Sequence, residues 1–362
     1  MSVRKKRVAI VFGTRPEVIK LWPLIEALQK FPRIRTTTVN TGQHGFLSAQ
    51  AARNLGVKWN VNLRVMEPDQ RLSSVVARMV DKLDRLFARL APGLVVVQGD
   101  TATALAAALA AYHLKIPVAH VEAGLRTGDR YQPFPEENYR VMVDHLATLH
   151  FAPTLHAKNA LLREAIHGKH LYVTGNTVVD AVTRLVRRSP APRWPKPYLL
   201  VTLHRRENFR GTIRNVARVL ISVLREEPNL HVVWPVHPNP NVRRQIPKAI
   251  RRHSRVHLVE PLPYISFLGS AKGSTLILSD SGGIQEEAPT LKKRVILVRN
   301  VTERPEAVKA GWSSFVGTEE KALHRAILMN LHRRKVPSGP NPFGDGRSGT
   351  RIARLLAEYL KD

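Results

Sequence analysis

The stretch Arg7-Val-Ala-Ile-Val-Phe-Gly13 decides the fold class of this 362-residue chain. It is a short, unbroken apolar run rich in β-branched residues, which is typical of a strand buried on both faces of a parallel sheet. Residues 16–30 follow at once, with apolar residues at helical spacing. A buried strand that leads directly into an amphipathic helix is the repeating unit of an α/β fold.

The same alternation of strand and helix recurs along the chain. Apolar runs followed by helical patterns lie at 94–97 before 102–114, at 198–202 before 213–224, and at 275–278 before 284–291, with further strands at 117–121 and 230–236. We therefore predict an α/β protein with two Rossmann-like domains facing a cleft, each a parallel sheet flanked by helices.

A proline-rich segment divides the chain near its middle. Ser189-Pro-Ala-Pro-Arg-Trp-Pro-Lys-Pro197 has four prolines in nine residues, which excludes a helix or a central strand. We predict an N-terminal domain at 1–188, a linker at 189–197, a C-terminal domain at 198–346 and a terminal helix within 347–362. Periodicity leaves open whether that helix stays with the second domain or packs back on the first.

The amino-acid composition and charge of the chain limit the classes of protein to which it can belong. The chain carries 57 Lys and Arg against 28 Asp and Glu, a net charge of +29, and 43% hydrophobic residues. The basic residues are scattered without interleaved aromatics, so we expect a basic surface that attracts anionic substrates rather than a nucleic-acid site. No apolar run is long enough to span a membrane and no signal peptide is recognisable. Cysteine is absent, which excludes disulfides and thiol nucleophiles, and we expect a cytoplasmic enzyme.

Charged residues follow the first predicted strand, where ligands bind in parallel sheets. Gly13-Thr-Arg-Pro-Glu17 has no G-x-G-x-x-G pattern, so a dinucleotide cofactor is not supported. Arg15 and Lys20, near the start of a helix, suit an anion such as phosphate. A turn with surface cations is the alternative reading.

Carboxylates follow two more strands of the first domain. Asp100 comes after the strand at 94–97, and Glu122 stands directly at the end of the strand at 118–121. Glu136 follows, with Arg140 one helical turn later. These acids have the chemistry that proton abstraction and return require. Asp100 has an alternative role as the cap of the following helix.

The second domain carries a phosphate-binding pattern. In Ser279-Asp-Ser-Gly-Gly-Ile-Gln-Glu-Glu287 a strand ends, glycines let a ligand approach the backbone, and a helix begins with free N–H groups. Glu287 suits ribose hydroxyls. The alternative is that Asp280 or Ser281 is an ordinary helix cap. His204, after the strand at 198–202, is a further candidate. These residues predict an enzyme for a phosphorylated, nucleotide-bearing ligand and leave the reaction open.

The motifs together resemble the non-hydrolysing UDP-N-acetylglucosamine 2-epimerases, which have the fold of the GT-B glycosyltransferases. They appear in the family's order, as Gly13-Thr-Arg-Pro-Glu17, Thr41-Gly-Gln-His44, Gln98-Gly-Asp-Thr101, His120-Val-Glu-Ala-Gly-Leu-Arg-Thr-Gly128, Phe134-Pro-Glu-Glu137, Gly175-Asn-Thr-Val-Val-Asp180, His204-Arg-Arg-Glu-Asn208, Pro235-Val-His237, Asp280-Ser-Gly-Gly-Ile-Gln-Glu-Glu-Ala-Pro289, Thr302-Glu-Arg-Pro-Glu306 and Asn341-Pro-Phe-Gly-Asp-Gly346. The chain departs from the family at Arg210, where Gly is usual, at Pro238, where Leu is common, and at Glu136-Glu-Asn-Tyr-Arg140, where the Asn is shifted by one.

The resemblance implies reversible epimerisation of UDP-N-acetylglucosamine to UDP-N-acetylmannosamine, by elimination of UDP to 2-acetamidoglucal and re-addition, without metal or cofactor. It further implies a role in cell-surface polysaccharide biosynthesis and a homodimer. The implied acid/base and leaving-group residues are Asp100, Glu122, Glu136 and His204. The implied substrate-binding residues are Arg15, Lys20, Arg140, Phe267, Ser281, Gly282, Gly283, Glu287 and Arg304.

Three alternatives share this fold: an epimerase for another UDP-sugar such as a diacetamido-uronic acid, a hydrolysing epimerase, and a glycosyltransferase. Many bacterial members also bind a second, activating substrate molecule at a site that Gln43, Arg205 and His237 match. Phe46 and Asp69 replace the Gln and Arg usual there, so we expect activation to be lost.

Overall fold

The computed structural model describes residues 5–67, 70–203, 211–236, 240–299, 301–333 and 335–361, apart from the side chains of Pro240 and Asn241. The chain forms two units. One comprises Met1–Ala181 with Phe343–Asp362, and the other comprises Val182–Pro342. No helix in the described residues is long and apolar enough to cross a membrane.

The first unit contains a seven-stranded parallel sheet. Its strands are β1 (Lys6–Phe12), β2 (Ile34–Asn40), β3 (Val61–Asn62), β4 (Leu94–Gln98), β5 (Val118–Val121), β6 (Leu149–Ala152) and β7 (Leu171–Val173). The helices that alternate with them are α1 (Arg15–Leu28), α2 (Gly45–Leu55), α3 (Leu72–Leu90), α4 (Ala102–His113), α5 (Glu136–Leu146), α6 (Leu155–Arg163) and α7 (Thr177–Leu185).

The second unit contains a six-stranded parallel sheet. Its strands are β8 (Tyr198–Thr202), β9 (His231–Pro235), β10 (Val256–Val259), β11 (Leu276–Ser279), β12 (Val295–Leu297) and β13 (Ser313–Phe315). Its helices are α8 (Thr212–Glu226), α9 (Pro240–Gln245), α10 (Lys248–Arg251), α11 (Tyr264–Gly273), α12 (Gly283–Leu291), α13 (Pro305–Lys309) and α14 (Glu320–His332), and the last helix of the chain is α15 (Ser348–Tyr359).

The two sheets share one topology. Their strand orders are β3-β2-β1-β4-β5-β6-β7 and β10-β9-β8-β11-β12-β13, which are both the doubly wound Rossmann order. The direction of winding reverses between β1 and β4 in the first sheet and between β8 and β11 in the second. Ligands bind at such switch points, beyond the carboxyl ends of the strands. The predicted α/β class with parallel sheets is confirmed.

The central strands are buried because helices cover both faces of each sheet. Residues 8–12 of β1 and 94–97 of β4 have no exposed surface. In the first unit, Phe87 and Met79 of α3 pack with the alanine-rich helix α4 over this sheet. In the second unit, Trp234 of β9 is enclosed by the apolar face of α8. Because these strands are buried on both faces, their sequences are uninterrupted runs of apolar residues. Such runs can be recognised as strands from the sequence.

The terminal helix α15 packs against α1 in the first unit. Asp180 anchors its first turn, since the carboxylate oxygens accept the N–H groups of Ser348 at 3.1 Å and Gly349 at 2.9 Å. Gly349 lies directly on Pro23 within α1, where an added Cβ would meet backbone atoms at 2.8–2.9 Å. The proline-rich segment at 189–197 lies in the second unit, against Gly269 and Gly273 of α11.

Replacing Gly349 by Ala tests the contact between α15 and α1. The new Cβ would overlap the Pro23 backbone, which cannot rotate away, so we expect a loss of about 1–3 kcal/mol in the free energy of unfolding. Urea unfolding followed by circular dichroism measures it. Gly93→Ala is the matched control, because its Cβ would meet neighbours only at ordinary distances of 3.7–4.0 Å. Equal stability of Gly349→Ala and wild type would contradict this close packing.

Candidate active site

The loop after β1 is joined to the loop after β4 by a buried carboxylate. Glu17 closes a capping box with Thr14 at the start of α1, and its Oε2 accepts the N–H groups of Gly13 and Thr14 at 2.9 and 2.7 Å. Its Oε1 accepts the hydroxyl of Thr101 at 2.6 Å. Burial raises the pKa of Glu17, against the lowering effect of these hydrogen bonds. The bonds hold the two loops at the switch point in register.

Glu122 is the centre of the polar cluster beyond this sheet. It follows β5 with a left-handed backbone, φ +71°, which is unusual for a residue other than glycine. Its buried Oε2 accepts from Lys20 Nζ at 2.5 Å, Gln98 Nε2 at 3.1 Å and Asn176 Nδ2 at 3.0 Å. An ammonium and two amides converge on one oxygen, so the charged form of this carboxylate is stabilised.

Asp100 lies after β4 and does not cap α4. The cap is Thr101, whose hydroxyl accepts the N–H of Ala104 at 3.1 Å. Asp100 instead accepts from Arg140 Nη2 at 2.5 Å, with 28% of its side chain exposed. It is therefore a partly solvated carboxylate with a buried guanidinium as its partner.

Helix α5 contributes a further acid, Glu136, and also Arg140, the partner of Asp100. Glu136 is its first residue and is half-buried. Glu137 is buried and accepts the N–H groups of Thr127 and Gly128 at 2.9 and 3.0 Å, while its second oxygen lies 3.3 Å from Arg140 Nη1. Glu137 thus fixes the preceding loop and one side of Arg140, a role that sequence reasoning missed because it could not tell the two adjacent glutamates apart.

The second sheet presents the helix start that the sequence predicted. α12 begins at Gly283, and its N-cap is Gly282, which has no side chain of its own to cap the helix. The N–H of Ser281 is bound by Ser279 Oγ at 2.9 Å. A Cβ on Gly282 would lie 2.6 Å from Arg304 Nη1, so any larger residue there would have to displace this guanidinium. A helix N-terminus that starts at two glycines is a candidate anion site.

Arg304 is held beneath this loop by buried carboxylates. Its Nε donates to Glu286 Oε1 at 2.6 Å, and its Nη1 is paired with Glu303. Arg299 completes the group at 3.2 Å from Glu303. The positive charge against Gly282 is therefore fixed in place. Glu286 and Glu303 were missed in the sequence, although both stand inside the motifs quoted above.

Glu287, the predicted ribose ligand, has an unexpected partner. Its Oε1 accepts the hydroxyl of Tyr264 at 2.8 Å. Tyr264 is the first residue of α11 and Phe267 lies one turn further along the same helix, half-buried. Phe267 and Glu287 are thus linked through Tyr264 and its helix. No motif in the sequence signalled Tyr264.

Some predicted residues lie outside the described part of the chain. They are His204, Arg205, His237, Asp69, Arg210 and Pro238. Of the predicted second-substrate site, Gln43 is described: its Oε1 accepts the N–H and the hydroxyl of Thr103 at 3.2 and 2.9 Å. Phe46 is 70% exposed. Among the described residues, no group of three or more His, Asp or Glu could hold a metal ion.

Comparison with known proteins finds one family. Residues 26–357 match the family model described as UDP-N-acetylglucosamine 2-epimerase. The UDP-N-acetylglucosamine 2-epimerases of Salmonella typhimurium and Bacillus subtilis are 39% and 41% identical to the chain, over 98% and 99% of it and 99% and 97% of their own lengths. The crystal structure of the Neisseria meningitidis UDP-GlcNAc 2-epimerase bound to UDP-GlcNAc is similar, with a TM-score of 0.91, 37% identity, and coverage of 98% of this chain and 100% of that one.

The Lys20–Glu122 pair gives a stability test of the cluster. Lys20→Met removes the cation that is paired with the buried carboxylate of Glu122, so we expect the free energy of unfolding to fall by about 3 kcal/mol. The double variant Lys20→Met/Glu122→Gln removes the stranded charge and should recover at least half of the loss. Urea unfolding measures both.

The matched control for this pair is Lys30→Met, since Lys30 is exposed just beyond α1. We expect it to stay within about 0.5 kcal/mol of wild type. A double variant that is less stable than Lys20→Met would show that Glu122 does not depend on the lysine for its charge.

Proposed function

The chain belongs to the UDP-N-acetylglucosamine 2-epimerase family, and we propose that it interconverts UDP-N-acetylglucosamine and UDP-N-acetylmannosamine by elimination and re-addition of UDP. In the first half, a carboxylate takes the C2 proton while the C1–O bond to UDP breaks, which forms the C1=C2 double bond of 2-acetamidoglucal. In the second half, UDP adds back to C1 and a proton reaches the opposite face of C2. The non-hydrolysing course, in which UDP stays bound until re-addition, is part of the proposal.

The observation that carries this proposal is the pair of differently placed carboxylates beyond β4 and β5. Glu122 is buried under three donors and is stabilised as an anion, which suits a base. Asp100 is partly exposed beside Arg140, so solvent can reach its carboxylate. Epimerisation at C2 needs a group on each face of the sugar ring, and these two acids, with Glu136 on α5, supply the candidates.

The leaving group is the second requirement, because expulsion of UDP builds up negative charge on the diphosphate. We assign the diphosphate to the N-terminus of α12 at Ser281, Gly282 and Gly283, where N–H groups and the helix dipole favour an anion. Arg304 under Gly282 adds a fixed positive charge.

The remaining contacts complete the proposed site. Glu287 is assigned to the ribose and Phe267 to the uracil. Arg15 and Lys20 at the start of α1 are the cations that the first unit contributes, and His204, outside the described residues, is assigned to the departing diphosphate.

The reaction is tested by incubating the protein with UDP-N-acetylglucosamine alone in deuterium oxide and following products by proton NMR. We expect UDP-N-acetylmannosamine with deuterium at C2. Release of free N-acetylmannosamine and UDP would indicate a hydrolysing epimerase, and no exchange without an acceptor would indicate a glycosyltransferase. A diacetamido-uronic acid UDP-sugar is tested in parallel. The cytoplasmic location and the role in polysaccharide biosynthesis stay predictions from the sequence.

Isosteric substitutions test the two carboxylates. We expect Asp100→Asn and Glu122→Gln each to lower kcat by roughly 10²–10⁴-fold, the usual contribution of a general acid or base. The UDP dissociation constant, measured by calorimetry, should change little because the proposed UDP contacts lie elsewhere. Glu358→Gln, the same change at an exposed position of α15, is the control. Retention of more than about half of the turnover by either variant would remove that residue from the mechanism.

We also propose that the protein is a homodimer, as the resemblance implies. The support is a groove on the first unit with half-buried apolar side chains at Val76 and Val80 of α3 and Leu109 of α4, and with Tyr139 of α5. Polar residues also line it, namely Ser73, Asp81, Asp84 and His113. Apolar side chains rimmed by polar residues are typical of surfaces that pack against a partner.

A charge placed in this groove tests the homodimer. We expect wild type to sediment at the mass of a dimer, and Val80→Asp to shift the equilibrium to monomer because it desolvates a carboxylate at the interface. Met329→Glu, at a 65% exposed position of α14 in the second unit, should remain dimeric. A monomeric wild type would overturn the proposal, and a dimeric Val80→Asp would place the interface elsewhere.

A further inference from the structure

Two buried histidines stand side by side in the first sheet. His120 of β5 and His150 of β6 are paired in register on neighbouring strands, with no exposed surface for His120 and 5% for His150. Both contact Asp144 of α5, but in different ways. His150 Nε2 lies 2.7 Å from the main-chain oxygen of Asp144, whereas His120 Nδ1 lies 2.6 Å from its carboxylate.

The hydrogen bonds of His120 determine its charge. Its Nε2 lies 2.8 Å from the main-chain oxygen of Gly99, which can only accept, so Nε2 carries a proton. On the other side, Asp144 also accepts from the N–H of Gly124 at 3.2 Å and lies 2.8 Å from Arg126 Nη1. A carboxylate with these partners is ionised, so Nδ1 of His120 must donate as well. A ring that donates from both nitrogens is an imidazolium.

The surrounding charges agree with this assignment. Burial would raise the pKa of Asp144, but the charges and hydrogen bonds of His120 and Arg126 hold it below its ordinary value. Arg126 is paired in turn with Glu164 of α6 at 2.7 Å. Burial lowers the pKa of His150, which keeps it neutral with one donating nitrogen. The cluster thus contains two cations and two anions, and His150 adds no charge.

We propose that His120 is a buried imidazolium that positions the carboxylates of the active site. It binds the carbonyl of Gly99, the residue before Asp100, and it stands two residues before Glu122 on β5. Through Asp144 it also holds α5, the helix that starts with Glu136. Glu122 has a left-handed backbone, φ +71°, and in a residue other than glycine this conformation needs support from its surroundings. The inference rests on the proposed roles of Asp100 and Glu122.

A matched pair of variants separates this role from simple burial. The side chain of Gln at position 120 can donate to only one of the two acceptors, the Gly99 carbonyl or the Asp144 carboxylate, and turns its own oxygen toward the other. His120→Gln therefore loses the hydrogen bond to either Gly99 or Asp144. A misplacement of about 1 Å in a catalytic group can cost about 10²-fold, so we expect kcat to fall by that order. The UDP dissociation constant should stay within about twofold of wild type, because His120 is not among the proposed UDP contacts, most of which lie in the second unit.

The control is His150→Gln. His150 is equally buried and in register with His120, but it needs only one donor, which the Gln amide supplies. We expect its kcat to remain within about threefold of wild type. A His120→Gln variant with more than half of wild-type kcat would overturn the proposal. An equal loss in both variants would also overturn it, since any change at a buried histidine would then have the same effect.

A measurement on the wild-type protein does not depend on any variant folding. With ¹⁵N-labelled histidine, the His120 ring should show protons on both nitrogens at pH 8, and the His150 ring a proton on one. A single protonated nitrogen on His120 would overturn the proposal whatever the kinetics show. Failure of the proposed carboxylate roles would appear instead as active Asp100→Asn and Glu122→Gln enzymes with the imidazolium intact, so the two failures are distinguishable.

Discussion

The ion pair between Lys20 and Glu122 is the interaction on which the first unit's polar edge depends. It joins a residue in the first helix to the end of the fifth strand, 102 positions apart, at 2.5 Å. A buried carboxylate is costly unless it is paired, and the same oxygen takes amide donors from β4 and from the loop before α7. The site therefore forms only when β1, β4, β5 and their following segments are all in place. The charge that suits proton abstraction is also what ties these elements together.

The two units differ in how their candidate site residues present charge. The first uses whole charges in close pairs, Lys20 with Glu122 and Arg140 with Asp100. The second presents main-chain N–H groups at the start of α12 and holds Arg304 behind them with Glu286 and Glu303. In the proposed function, the carboxylates of the first arrangement transfer protons. The second arrangement would bind the diphosphate through fixed main-chain groups that need not reorganise, which is the condition for effective electrostatic stabilisation.

The large positive charge of the chain is a property of its surface rather than of these sites. Around Asp144, Arg126 and the proposed imidazolium of His120 face two carboxylates, and around Arg304 the carboxylates of Glu286 and Glu303 face two arginines. Such balance follows from the cost of burying unpaired ions. The excess of 57 basic over 28 acidic residues is carried largely by exposed side chains, where it raises the local concentration of anionic substrates without affecting the fold.

The sequence by itself determined the class of fold and the edges at which the site lies. Short apolar runs such as residues 8–12 and 94–97 are typical of buried strands, and polar residues directly after such strands lie at the carboxyl edge of the sheet. This reasoning located Arg15, Asp100, Glu122 and the turn at Ser281. It did not find β2, β6 and β10, because the threonines of β2 and the histidines of β6 and β10 interrupt the apolar pattern. It also did not find β3, β7, β12 and β13, which have only two or three residues each.

Only the tertiary structure decided which side chains are partners. From sequence spacing, Asp100 could be either a helix cap or a functional acid. In the structure Thr101 caps α4, and Asp100 accepts a hydrogen bond from Arg140. It likewise pairs Glu122 with Asn176, Glu287 with Tyr264 and His120 with Asp144. These contacts join residues that are 23 to 54 positions apart in the sequence. They cannot be predicted from local sequence, because the order of the strands in the sheet, rather than closeness along the chain, brings the partners together.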